Sequence, residues 1–258
     1  MKKKPTILIT NDDGIDAQGI RFLIDAMRDL GNIVVVAPDS PQSGMGHAIT
    51  VQTPLRLKKR IHETDYQEYS CNGTPVDCVK LGEQVVIKDL PDLLVSGVNH
   101  GSNASINIVY SGTMAAVIEG CIDRIPSVGF SMNDFSHHLD FEPARNIIRH
   151  IAKNILQNRL PDGICLNVNL PVEKEIKGIQ VTRQANARWK EEFDTRTDPR
   201  GKDYHWLTGK FEYLDNGHEN DVNAMKNGYA SVVPVKIDLT AYDQIDNLKY
   251  LETNIGTD

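Results

Sequence analysis

Two aspartates stand side by side at Asp12 and Asp13, one residue beyond the apolar, β-branched run Thr6–Thr10. Adjacent carboxylates repel each other unless a cation offsets their charge. Two further polar segments share this character: Asp39-Ser40-Pro41-Gln42-Ser43-Gly44 after IVVVA, and Ser96-Gly97-Val98-Asn99-His100-Gly101-Ser102-Asn103 after LLV. Each follows a short apolar run of the kind that forms a strand buried on both faces. In open parallel sheets the ligand crevice lies beyond the carboxyl ends of the strands, so the three segments are expected to meet at one edge. Carboxylate, hydroxyl and amide oxygens together suit a hard divalent ion such as Mg²⁺ or Mn²⁺. Such an ion acidifies a bound water and offsets charge on phosphoryl oxygens. A lone Asp-Asp-Gly would read as a helix-start turn; three converging loops make the cation site the better reading.

Tyr110-Ser111-Gly112-Thr113 opens the helical run MAAVIEGCI. Free N–H groups and the dipole at a helix start attract anions, and Ser111 and Thr113 add hydroxyl donors. Ser111 alone would read as a helix cap. Just after the Asn99 and Asn103 loop, the segment reads as a phosphate cradle. His47 and His100 border these loops and are taken as hydrogen-bonded structural residues. Arg183, Arg188, Arg196 and Arg200 are taken as a solvated surface.

The elements that must hold these loops alternate. A helix over Ile20–Leu30, closed by Gly31, joins Thr6–Thr10 to a strand at Ile33–Ala37, a right-handed βαβ unit. His47–Leu57 alternates apolar and polar residues around Pro54 and predicts an antiparallel edge excursion. Thr74-Pro75 opens a helix to about Val86. Strands at Leu93–Ser96, Ser127–Ser131, Ile164–Val168 and Val232–Ile237 and helices at Thr113–Ile122 and Pro143–Leu156 follow. The fold class is α/β: a doubly wound, mostly parallel Rossmann-like sheet. Residues 1–184 form the catalytic domain. Residues 185–258 form an irregular arm and C-terminal elements that pack on the same domain or on a partner protomer. Ala185 to Gly228 is too long for a compact-domain loop and too aromatic for a linker, so it predicts a homodimer or homotetramer, the alternative being a lid folded back over the chain's own active site.

Composition narrows the partners. The 258 residues carry a net charge of −7, which disfavours nucleic acid polymers and anionic membranes but not a mononucleotide. No apolar run approaches the roughly 18–20 residues that span a bilayer. Cys71, Cys78, Cys121 and Cys165 form no CxxC pair and suggest reduced thiols and a cytoplasmic protein.

The strings ILITNDDGIDAQGI, VVVAPDSPQSGMGHAIT, NGTPVDCVKLG, LVSGVNHGSN and YSGTMAAVIEG, in that order over about the first 130 residues, resemble the SurE family (survival protein E, 5′-nucleotidase). The resemblance implies that Asp12, Asp13, Ser43 and Asn99 hold one divalent ion. It implies equally that Asn103, Ser111, Gly112 and Thr113 hold the phosphate, and that relatives associate through extended or swapped C-terminal elements. Tyr110 stands where relatives often have His, so a general acid is not expected there.

The function expected is hydrolysis of nucleoside monophosphates by a metal-bound water, with Asp12 and Asp13 as the catalytic carboxylates. Other small phosphate monoesters or short polyphosphate are alternative substrates. One rival is an aspartyl-phosphate mechanism, although such enzymes show Asp-x-Asp after the first strand. Another is a nucleotide-binding module without turnover. A dinucleotide oxidoreductase is disfavoured, because NDDGIDAQG lacks GxGxxG.

Overall fold

The computed structural model describes residues 4–253 except 135, 137, 138 and 216. β1 (Thr6–Thr10), α1 (Gln18–Met27) and β2 (Asn32–Pro38) open the chain, followed by β3 (Leu57–His62) and β4 (Tyr66–Cys71). Next come α2 (Pro75–Leu81), β5 (Leu93–His100), α3 (Gly112–Ile122), β6 (Ser127–Met132), α4 (Arg145–Asn158), β7 (Ile164–Leu170) and β8 (Ile179–Val181). The arm contains β9 (Ala187–Lys190), β10 (Phe193–Thr197), β11 (Asp203–Leu207) and β12 (Lys210–Tyr213); α5 (Asp221–Lys226) and β13 (Ala230–Lys236) follow it.

One sheet runs in the order β3-β4-β2-β1-β5-β6-β7-β13-β8. β4, β2, β1, β5, β6 and β7 are parallel neighbours, while β3 and β13 run antiparallel to β4 and β7. Alternation along β1 explains the double winding. Ile7 and Ile9 bury against α1 and α4, and Leu8 points the other way into the cluster built with α2 and α3. The doubly wound α/β expectation is borne out, and after the arm the chain returns to the main sheet as β13.

The edge excursion exists but is displaced. The antiparallel pair is β3 with β4, whereas residues 47–56 form no strand. Ile49 and Val51 are exposed. The Thr50 backbone N–H and hydroxyl donate to Asp77 at 3.1 and 2.6 Å, which ties this segment to the capping box of α2 instead of to a ladder. Lys58, Lys59 and Arg60 place charge along the edge strand, which discourages pairing with another chain.

On the α2–α3 side, the Glu83 and Asp123 carboxyls interact, and each has a buried oxygen without a hydrogen-bond partner. Burial first, then the Asp123 charge, pushes the Glu83 carboxyl from 4.5 up to about 7. The folded chain therefore binds this proton more tightly than the unfolded chain. The associated stability is present below pH 4.5 and lost as pH rises through about 7. Relative to Glu83→Gln, the wild-type Tm is expected to fall across that window and to stay lower above it. Parallel Tm curves from pH 4 to 8 would count against the pairing.

Candidate active site

The sheet register sets the three loops side by side. Thr10 pairs with Ser96 at the end of β1; β5 does not stop there as expected but continues past an irregularity to His100, so Asn99 lies on the strand, paired with Ser131. The Gln42 backbone N–H donates to the Asp12 carbonyl at 2.7 Å and joins the loop after β2 to the loop after β1. Gly46 N–H donates to the Tyr110 carbonyl at 3.3 Å, which links the same loop to the approach to α3. A cavity of about 570 Å³ opens between them, with Asp12, Ser43, Asn99, His100, Asn103 and Ser111 in its wall.

Asp12 is buried. Its Oδ1 accepts the Thr113 hydroxyl at 2.5 Å. Burial, then the neighbouring Asp13 charge, pushes its carboxyl up to about 6, against the opposing pull of Thr113. α3 begins in contact with this side chain: a Cβ on Gly112 would lie 2.7 Å from the Asp12 Cβ. Thr113 calls for a correction. Its hydroxyl was expected to face a phosphate; it is fully buried and donates to Asp12 instead.

Asp13 is half-buried and does not line the cavity wall. Its Oδ2 lies 3.3 Å from both the backbone N and Nδ1 of His100. The His100 ring packs edge-on against Phe141, centroids 5.2 Å apart. His47 Nε2 lies 2.8 Å from Glu119. Both histidines are thus held by hydrogen bonds, as expected, although His100 also reaches the cavity. Arg183, Arg188 and Arg196 are exposed and pair with Asp215, Glu212 and Asp194.

Asn99 Nδ2 donates to the Gly101 carbonyl at 2.8 Å, which leaves Oδ1 as the acceptor of that side chain. Asn103 is fixed by strands that sequence reasoning did not connect to it. Its N–H donates to Asn169 Oδ1 at 2.8 Å, its carbonyl accepts Asn167 Nδ2 at 2.9 Å, and its amide meets the Ser131 hydroxyl at 2.6 Å. A hydroxyl both donates and accepts, so the Asn103 amide can turn either end to a ligand. The signal was present in ICLNVNL, where two asparagines interrupt a buried strand. Ser111 Oγ accepts from Met114 N–H at 3.0 Å, a helix cap that leaves the hydroxyl proton for the cavity.

These donors fit a hard cation. Two carboxylates, the Ser43 hydroxyl and the Asn99 amide oxygen are all oxygen ligands. Among the described residues no three His, Cys, Asp or Glu side chains gather as a metal site. Asn11 Oδ1, next to Asp12, is buried and accepts no hydrogen bond, a surplus acceptor of the kind a cation with its waters satisfies.

The arm completes the cavity. β9 pairs with β12 and β10 with β11. Positive φ at Glu191 and Gly209 bends the chain between the two ladders, and Trp189, Glu192, Leu207 and Thr208 enter the cavity wall. The sequence leaves open an arm on a partner or a lid over the site and marks none of these four residues individually.

Fold and site together define an α/β protein whose oxygen-rich segments gather at the carboxyl edge of a parallel sheet. Residues 7–191 match the family model described as Survival protein SurE. A protein from Christiangramia forsetii named 5′-nucleotidase SurE is 56% identical over 257 residues, covering 98% of this chain and 99% of the relative. One of the same name from Flavobacterium psychrophilum is 55% identical over 254 residues, covering 97% and 99%. The crystal structure of the SurE protein from Aquifex aeolicus superposes with a TM-score of 0.83 at 41% identity, covering 96% of this chain and all of the other. The chain belongs to the SurE family. The expectation of an enzyme, as against a binding module without turnover, is borne out by these relatives.

Proposed function

We propose that this chain is a cytoplasmic 5′-nucleotidase that hydrolyses nucleoside monophosphates to nucleoside and phosphate. The observation that carries this reading is the meeting of Asp12, Ser43, Asn99, Asn103 and Ser111 around one cavity at the carboxyl ends of β1, β2 and β5 and the start of α3. In this reading Asp12, Asp13, Ser43 and Asn99 hold one Mg²⁺ or Mn²⁺, which when bound supplies charge to offset that on the phosphoryl group. Ser111, Asn103 and the Gly112 N–H steady the phosphate oxygens. Thr113 orients Asp12. Asp12 and Asp13 are the carboxylates at hand for the proton of the attacking water.

Phosphate release from AMP and GMP, measured with Mg²⁺, Mn²⁺ and chelator, tests the reading; no release with any ion would overturn it. Ser111→Ala is expected to weaken inhibition by vanadate roughly tenfold or more, since a hydrogen bond to a charged group is worth about 1.5–3 kcal/mol. Unchanged inhibition would leave Ser111 as a cap alone.

The protein is further proposed to be a homodimer or homotetramer, supported by exposed Phe193, Trp206 and Leu207 on the arm and Leu239, Tyr250 and Leu251 beyond β13. Light scattering showing a monomer at micromolar concentration would defeat this.

A further inference from the structure

The cavity is larger than a phosphate and its cation require. Besides Asp12, Ser43, Asn99, Asn103 and Ser111, its wall includes Asn107, Tyr110, Trp189 and Leu207. With its N–H already given to Asn107, the Trp189 indole offers a phosphate only an apolar face. A flat heteroaromatic group can stack on that face.

We infer that Trp189 is a specificity-determining residue whose indole stacks on the base of the nucleotide, an inference that rests on the nucleotidase reading above. The ring is held from several directions. Its Nε1 donates to Asn107 Oδ1 at 2.9 Å. Phe211, its cross-strand partner in the β9–β12 ladder, packs edge-on with centroids 5.5 Å apart and planes at 71°. Gly209 lies so close that a Cβ there would stand 3.1 Å from the indole Cε3.

The anchor leads back to the phosphate end. Asn107 Nδ2 donates to the Ser102 carbonyl at 3.3 Å, one residue before Asn103. The base of the arm is fastened to the same region: buried Asp221 accepts the N–H of Ser105 at 2.7 Å and that of Ala185 at 3.0 Å. The indole is therefore fixed relative to the phosphate loop before any ligand arrives, which lowers the entropy lost on binding. Stacking uses the π-face that every base has, so it selects for nucleotides over sugar phosphates without selecting strongly among bases.

Trp189→Ala is expected to raise KM for AMP and GMP roughly 10- to 100-fold, the range of a lost stacking contact. Hydrolysis of ribose 5-phosphate and inhibition by inorganic phosphate should stay as in the wild type. Trp189→Phe should recover most of the AMP affinity. In a Trp206→Phe background, whose replaced residue is exposed and outside the cavity wall, adenosine should quench the remaining indole fluorescence. Unchanged KM for AMP in Trp189→Ala would overturn the inference. So would an equal loss with ribose 5-phosphate, which would assign the indole to holding up the arm. A wild-type protein that releases phosphate from no ester would instead sink the nucleotidase reading, and the adenosine titration would still judge the stacking wall by itself.

Discussion

Asp13→Asn is expected to lower kcat by on the order of 10²-fold or more, as loss of a preorganised charged group at the reacting centre does. The fold should survive the change. Asp13 is half-buried, and its Oδ2 meets the His100 backbone N–H, which an amide oxygen accepts equally well. What disappears is one of two adjacent negative charges, and with it much of the site's affinity for a divalent ion. Chelator should therefore abolish turnover in the wild type, and Mg²⁺ or Mn²⁺ should restore it. The variant should need far more ion for the same recovery. Asp12→Asn is the less clean experiment, because the Thr113 hydroxyl and the start of α3 are built against that carboxylate. Steady-state kinetics with a metal titration, beside a melting curve, measure both halves of the expectation. Wild-type kcat in Asp13→Asn, with unchanged metal dependence, would remove Asp13 from the chemistry.

How much of this was legible in the sequence depends on the range of the interactions involved. β1, β2, β5, β6 and β7 are strands buried on both faces, and such strands appear as short apolar runs with polar loops at their ends. The loops beyond them carry Asp12, Asp13, Ser43 and Asn103, and Asn99 sits at the end of β5 itself, so the convergence of most site residues followed from topology rules. β4 was hidden because a glutamate interrupts it. Glu68 is buried only because Arg21 reaches it at 2.6 Å, Arg60 at 3.2 Å and the Tyr66 hydroxyl at 2.5 Å. Arg21 lies 47 residues away in the chain, and no local window contains that pairing. The inward turn of Thr113 depends likewise on Asp12, 101 residues distant. The arm strands are short and exposed, so they lack the alternation that marks a half-buried strand. Trp189 looked like one aromatic among six in that stretch, and only the fold brings it to Asn107.

Gly19→Ala should be among the most damaging small substitutions in the protein, although helix propensity alone favours it by about 0.8–1.0 kcal/mol. Gly19 lies in the first turn of α1, buried against β5. A Cβ there would stand 1.9 Å from the Val98 carbonyl oxygen and 3.0 Å from its carbonyl carbon. Those atoms are backbone and cannot swing aside as the end of a long side chain does. Either α1 lifts off the sheet, opening the Ile20, Leu23 and Met27 contacts in the main core, or the chain around Val98 moves. Overpacking of this kind typically costs about 1–3 kcal/mol and occasionally more, which outweighs the propensity gain. For a domain of this size each kcal/mol lowers Tm by about 2–4 °C. Val98 directly precedes Asn99 on β5, so the strain arrives at the strand end that supplies an oxygen to the proposed cation site. The expected result is therefore a lowered Tm together with weaker metal activation, both from one methyl group that touches neither metal nor substrate. A raised Tm with unchanged metal activation would mean that helix propensity prevails and that α1 does not hold the Asn99 end of β5 in place.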